Sequence, residues 1–425
     1  MNKVKLAIIG AGVRGRYTYG EFIKNNNDIC EVVAVVESKI GRREKFKEIF
    51  NLSEDKVFEN IDVFLKKEKM ADAVIVCSND NTHFYIASSA LEKGYDVLVE
   101  GPVANNLDKL VNLKNLCENN KDKVFMATMP FRYSNLFLKI RQIILNKEMG
   151  NLININYNSY IGYRKFVHNF VRGNWRLDND TAPLILTNSC YDLDILEFLT
   201  NSQCEKISSF GKLNHFMRKN LQLDMSELCI RCSKEKECPY CAQRIYIDDD
   251  KMSHALHINP TEENINNILK EGQYGQCVYS CDNNVSDNLI SILKFKNNIT
   301  ATLNISAFTK KENRNLTLMF THGEIYADLQ DNTIIIKKFI NEEEVVIKLD
   351  KDNFEEQLIK DFISQVENRN LDDLKSSVIS TINSHVTGFA CEFANVSETV
   401  VDIDQFWSES CEMTKKIEKL LLLSK

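Results

Sequence analysis

The first third of the chain alternates short β-branched apolar runs with stretches whose apolar residues recur every three or four positions, the pattern of a parallel sheet covered by helices. Residues 5–9, 31–36, 73–77 and 96–99 read as strands, and 84–93 reads as a helix closed by Gly94 at its C-terminal cap. A further strand over 123–128 ends this unit near Pro130. The texture then changes. A helix over 134–146 is stopped by Gly150, and 152–160 alternates as a half-buried strand does. Two hairpins follow, 289–295 with 300–308 around Asn297-Asn298 and 316–320 with 324–329 around His322-Gly323. Helical periodicity returns over 355–366 and 375–396. The expected fold class is α/β, with a parallel sheet in a first domain over 1–129 and a large open mixed or antiparallel sheet in a second over 130–425.

Length and composition narrow the function. At 425 residues the chain is sized for two or three domains, and without an internal repeat or a Pro/Gly linker these are expected to pack closely. A composition of 44% hydrophobic and 27% charged residues is that of a globular protein, and a net charge of −7 gives no basic field to draw nucleic acid or anionic lipid. No run approaches the roughly 18 consecutive apolar residues of a membrane span. The start, MNKVKLAIIGAG, reaches glycine before a signal-peptide core forms, so a cytoplasmic protein is expected. In that setting the 13 cysteines read as buried thiols or metal ligands rather than disulfides.

Gly10-Ala11-Gly12-Val13-Arg14-Gly15 directly follows the first strand and precedes a helical pattern. In that context Gly10 permits the tight turn, Gly12 lets backbone approach a pyrophosphate, and Gly15 allows close helix packing. Glu37, at the end of the second strand, supplies a carboxylate for the hydroxyls of an adenosine ribose and repels a 2′-phosphate. NAD is therefore expected ahead of NADP, with Lys39, Arg42 and Arg43 nearby tempering that preference.

With the nucleotide loop, several further segments resemble the Gfo/Idh/MocA family of NAD(P)-dependent sugar and polyol oxidoreductases. Ser78-Asn79-Asp80-Asn81-Thr82-His83 stands where that family has its Thr-Pro-x-x-x-His loop, and ALEKGYDVLVEGPVA resembles the segment ending in Glu-Lys-Pro. Phe131-Arg132-Tyr133, then YIGYRKFVHNFVRGNWR, LILTNSCYDLDIL, CVYSCDNNVSD and SHVTGFACE, extend the resemblance along nearly the whole chain. It implies an N-terminal Rossmann domain, a C-terminal α/β domain whose open sheet supports the substrate site, and a homodimer or homotetramer. It also implies hydride transfer between nicotinamide and a secondary alcohol of a sugar, amino sugar or cyclitol. Cofactor contacts fall on Gly10, Gly12, Val13, Arg14, Gly15, Glu37, Ser78, Asn79, His83, Glu100 and Pro102.

The sequence departs from the pattern where the chemistry should be. The family's acid/base lysine is Gly101, and its second motif, an Asp or Lys four residues before a His, reads Thr187 and Tyr191. The glycine-rich stretch before the first tail helix is replaced by Lys351-Asp352-Asn353-Phe354-Glu355. Tyr191, His168 and Lys165 become the catalytic candidates, a tyrosine serving as acid/base if its pKa near 10 is lowered. Tyr163, Arg172, Trp175, Arg176, Thr187 and Asn188 are the substrate-binding candidates. Trp175 offers a face for stacking on a sugar, and Arg172 and Arg176 would suit an acidic sugar if both face the site, or else form interdomain ion pairs.

A Cys-rich insert around 225–285 carries Cys229-x-x-Cys232 and Cys238-x-x-Cys241, a spacing that closes two thiol pairs on one tetrahedral ion. Structural zinc is expected, with Cys277 or Cys281 as an alternative fourth ligand, and an iron–sulfur cluster or metal-free thiols as the rivals. Three functional readings remain open: a dehydrogenase with reorganised acid/base groups, an NAD-dependent glycosidase working by oxidation, elimination and reduction, and a dinucleotide-binding protein without catalysis.

Overall fold

The computed structural model describes residues 3–178, 180–340, 342, 344–371 and 374–423. Strands β1 (Val4–Ile9), β2 (Cys30–Val36), β3 (Val57–Phe58), β4 (Ala73–Val76), β5 (Asp96–Val99) and β6 (Phe125–Ala127) form a six-stranded sheet in the order β3-β2-β1-β4-β5-β6. Every neighbouring pair is parallel. The strands are nearly continuous apolar runs because both sheet faces are covered. The direction of strand order reverses between β1 and β4, which opens a crevice at their C-terminal ends.

The second sheet has nine strands. They are β7 (Leu152–Tyr160), β8 (Cys204–Lys212), β9 (Asn288–Phe295), β10 (Thr300–Ser306), β11 (Asn313–Phe320), β12 (Gly323–Asp328), β13 (Thr333–Lys338), β14 (Glu344–Lys348) and β15 (Val401–Asp402). Their order is β14-β13-β12-β11-β7-β10-β9-β8-β15, antiparallel except for the β7/β10 pair. One face is buried in strict alternation, as along β11, where Arg314, Leu316, Leu318 and Phe320 point inward. Helices Leu184–Thr200 and Val378–Ser397 cover that face. The predicted fold class thus holds, with both hairpins in place.

Three features depart from the pattern reading. The segment after the glycine loop is a wide-turned π-helix, Arg14–Gly20, before regular helix resumes over Glu21–Asn25. Strand β8 and the continuation of the β11–β12 hairpin into β13 and β14 carry too many lysines, glutamates and serines on their solvent face to read as buried strands. Finally, helix Phe354–Asn368 returns to the first sheet, where Leu358, Ile359, Phe362 and Ile363 pack with Leu6, Ile8 and Ile75. That return brings Phe354 and Glu355 to the mouth of the crevice.

Candidate functional site

The crevice is a cleft of about 580 Å³ between the two sheets. Its first wall is built largely from backbone. Gly10 has a φ of +106°, and a Cβ there would lie 2.8 Å from Cys77 O. At Gly15 a Cβ would lie 2.0 Å from Gly10 O, so the loop closes on itself only with glycine at both points. Gly12 is different: the nearest atom to its missing Cβ is Arg42 Nη1 at 3.8 Å, leaving its face open to the cleft. This is the room a pyrophosphate needs. Gly12, Val13, Arg14, Ser78, Asn79, His83, Glu100 and Pro102 all border the cleft, while Gly10 and Gly15 act from behind it. Glu37 is also set back: its carboxylate accepts from Ala11 N at 2.8 Å and Lys39 N at 2.9 Å, fixing the loop's shape from the end of β2. His83 is pinned between two carbonyls, Pro102 O at 2.8 Å and Ser78 O at 3.1 Å, and a neutral imidazole can donate to only one of them.

The second wall is made of side chains. A Cβ added at Gly101 would meet Tyr191 Cε1 at 3.0 Å, Cys190 Sγ at 3.1 Å and Tyr191 Oη at 3.2 Å. The Tyr191 ring therefore occupies the space a side chain at 101 would enter, and its hydroxyl donates to Gly101 O at 3.1 Å. Burial pushes the Tyr191 phenol well above its usual range, helped by Cys190 and Glu100 and opposed by Arg14. Next to it, Glu100 accepts from Tyr19 Oη at 2.5 Å, Arg14 Nε at 2.7 Å and Thr128 Oγ1 at 2.7 Å. Burial acts against its charge, but Arg14 and these donors prevail and hold the carboxyl below the usual range. Arg14 also reaches Glu355 at 2.7 Å, so the replaced glycine-rich stretch now contributes an ion pair at the cleft mouth.

Lys165, His168, Trp175, Thr187 and Asn188 also border the cleft. Lys165 is ion-paired to Glu312 at 2.5 Å, and Glu312 also accepts from Arg314 Nη1 at 2.8 Å. His168 meets Tyr246 Oη at 3.3 Å and stacks on Tyr274 with centroids 5.3 Å apart. Burial, with Arg172 nearby, lowers its pKa to about 4, so the imidazole is neutral at ordinary pH. Glu312, Arg314, Gln273, Tyr274, Leu256 and Glu355 complete the wall and were not anticipated. Arg314 did carry a signal: it stands in phase with the inward Leu316, Leu318 and Phe320, and a cation there needs a partner, which Asp192 supplies at 3.1 Å.

Several predicted residues lie elsewhere. Tyr163 packs edge-on against Tyr240 and accepts from Arg164 Nε at 3.1 Å, outside the cleft. Arg172 is fully buried and turned toward the insert, donating to Gln276 O at 2.8 Å, Tyr240 O at 2.9 Å and Cys229 Sγ at 3.3 Å. Arg176 pairs with Asp282 at 2.6 Å. Neither arginine lines the cleft: each is engaged by insert residues that sequence spacing alone could not place beside it, although Arg172 Nη1 is buried without a hydrogen-bond partner among the described residues. The zinc reading of Cys229, Cys232, Cys238 and Cys241 is not supported. Among the described residues no group of three or more His, Cys, Asp or Glu side chains is arranged to hold a metal ion. The four cysteines do border one small cavity with Cys277 and Arg172, where two of the sulfurs have other partners, Cys229 with Arg172 and Cys241 with Gln243 Oε1 at 3.3 Å.

Comparison with known proteins agrees with this architecture. Residues 4–128 match the description "Oxidoreductase family, NAD-binding Rossmann fold", and residues 137–326 match "GFO/IDH/MocA C-terminal domain". The Bacillus subtilis protein YteT is 21% identical over 264 residues, which is 60% of this chain and 59% of that protein. Glucose-6-phosphate 3-dehydrogenase of the same organism is 30% identical over 168 residues, 38% of this chain and 45% of that enzyme. The chain thus spans about half the length of the curated relatives it matches. The crystal structure of an oxidoreductase from Agrobacterium radiobacter in complex with NAD+, L-tartaric acid and magnesium superposes with a TM-score of 0.68. It covers 95% of this chain and 99% of its own at 13% identity, a likeness of fold. Two matched domains in sequence, a parallel sheet with a dinucleotide turn and a nine-stranded sheet facing it lead to one conclusion: the chain belongs to the Gfo/Idh/MocA oxidoreductase family.

Proposed function

We propose that the protein transfers a hydride between nicotinamide and a secondary alcohol carbon of a sugar, amino sugar or cyclitol, with Tyr191 handling the hydroxyl proton. The observation that carries this reading is at Gly101: the Tyr191 phenol fills the space a side chain there would enter and lines the cleft beside Glu100. Gly12 and the adjoining backbone would hold the pyrophosphate of NAD, and the acid at Glu37 favours NAD over NADP. When bound, NAD supplies the hydride acceptor or donor.

The chain's own residues account for the proton. The lowered pKa expected of an acid/base tyrosine is not found: burial raises it, which leaves Tyr191 the role of proton donor to a carbonyl oxygen as it becomes an alcohol. Neutral His168 and ion-paired Lys165, on the neighbouring part of the wall, orient hydroxyls and are not assigned the proton transfer. Trp175 and Tyr274 offer apolar faces for a sugar ring. The named glucose-6-phosphate relative supports a carbohydrate-type substrate. The outward face of the second sheet, where Phe210, Ile290 and Ile292 are half exposed, favours a homo-oligomer. No helix among the described residues is long and apolar enough to cross a membrane.

The test is cofactor turnover. Purified protein given NAD and a panel of sugars and cyclitols should generate NADH absorbance, and given NADH and the matching ketones should consume it. Tight NAD binding with no turnover in either direction would instead establish a silent binding protein. Release of an aglycone without net NADH would establish the glycosidase.

A further inference from the structure

We propose that the substrate of this cleft is electrically neutral, an unphosphorylated and non-carboxylated polyhydroxy compound, and that Glu312 is the residue that excludes anions. The inference rests on the dehydrogenase reading and narrows it. Three cations, Arg14, Lys165 and Arg314, border the reacting end of the cleft. Each is already engaged: Arg14 with Glu100 and Glu355, both at 2.7 Å, Lys165 with Glu312 at 2.5 Å, and Arg314 with Glu312 at 2.8 Å and Asp192 at 3.1 Å. Each cation is therefore paired, by the lining carboxylates Glu100, Glu312 and Glu355 and by the buried Asp192 behind Arg314, and Glu312 alone occupies two of the cations.

The rest of the wall adds no positive charge. His168 is neutral above a pKa of about 4. Asn169, Asn174, Trp175, Thr187, Asn188 and Tyr274 present amides, hydroxyls and ring faces. Arg172 and Arg176, the arginines that would suit an acidic ligand, are turned away toward the insert. Lys39 and Arg42 also border the cleft, but they follow Glu37 and lie beside Gly12, at the end where the adenosine belongs. A phosphate or carboxylate moved from water into this site would lose hydration and meet cations that are already paired with carboxylates, which is unfavourable. Sugar hydroxyls meet the opposite situation, since carboxylates and amides both bond them well.

The experiment compares matched neutral and anionic compounds on the NAD-loaded full chain: glucose with glucose 6-phosphate and glucuronate, and myo-inositol with an inositol monophosphate. The expected result is a kcat/KM at least about tenfold higher for the neutral member of the productive set. Glu312→Gln frees Lys165 and one bond of Arg314. It should narrow that ratio by about tenfold, through a lower KM for the anion with NAD affinity unchanged. A wild-type preference for the anionic member, or a Glu312→Gln variant that lowers both members equally, would overturn the inference while leaving the dehydrogenase reading intact. Absence of turnover with every compound would remove both.

Discussion

The two walls of the cleft were specified in different ways. The wall around Gly10, Gly12 and Gly15 is defined by backbone: each glycine stands where a Cβ would strike main chain or close the opening to the cleft. The wall around Tyr191, His168 and Arg314 is defined by side chains that reach it from a helix, a π-helical turn and a strand distant in sequence. The first kind of wall tolerates little at a few points and much elsewhere. The second depends on how side chains share volume, as the Tyr191 ring filling the space beside Gly101 illustrates.

The comparison can be broken first at Gly15. Gly15→Val places a side chain against Gly10 O, where no rotamer relieves the clash. It should abolish NAD binding by calorimetry and cost about 3 kcal/mol or more in denaturant unfolding. Arg172 probes the side-chain wall's support. Arg172→Met leaves the carbonyls of Gln276 and Tyr240 without their buried donor and should destabilise the protein by about 3 kcal/mol, with the KM for substrate changed less than threefold once folded protein is counted. If KM rises sharply instead, the insert acts on substrate directly.

The pH profile sharpens the role of Tyr191. Because burial raises its pKa above the unfolded value near 10, the phenol stays protonated through neutral pH, and the rate of carbonyl reduction should be flat from about pH 6 to 9. The same shift means that above pH 10 the unfolded chain releases this proton before the folded one does, so the contribution to stability is full below that pH and declines as pH rises. The smallest effect belongs to Arg176. Its bridge to Asp282 is partly exposed, and Arg176→Ala should change stability by under about 1 kcal/mol and leave kcat/KM unaltered.

Much of the fold was legible because its causes are local. Apolar β-branched runs located β1, β2, β4 and β5, and alternation located β7 and the hairpins. The cofactor wall was legible for the same reason, since a glycine's purpose is written in its own backbone. The reacting wall was only half legible. Tyr191, His168 and Trp175 reach the cleft as expected, but Glu312, Arg314, Tyr274 and Glu355 arrive through strand pairing, the insert and the returning helix, none of which has a local signature. Arg172 and Arg176 were misplaced for the converse reason: an arginine's reach permits several partners, and the insert decided between them. The cysteine pairs had metal-type spacing, yet spacing alone does not make a ligand set: among the described residues no three such side chains are arranged to hold an ion.

The central claim is that the Tyr191 hydroxyl performs the proton transfer. Tyr191→Phe keeps the ring that fills the Gly101 space and removes only the hydroxyl. Steady-state NADH kinetics on that variant, with NAD affinity measured alongside, give the answer. The account predicts a fall in kcat of about a hundredfold or more with the NAD dissociation constant within threefold of wild type. A variant that turns over at the wild-type rate would contradict it.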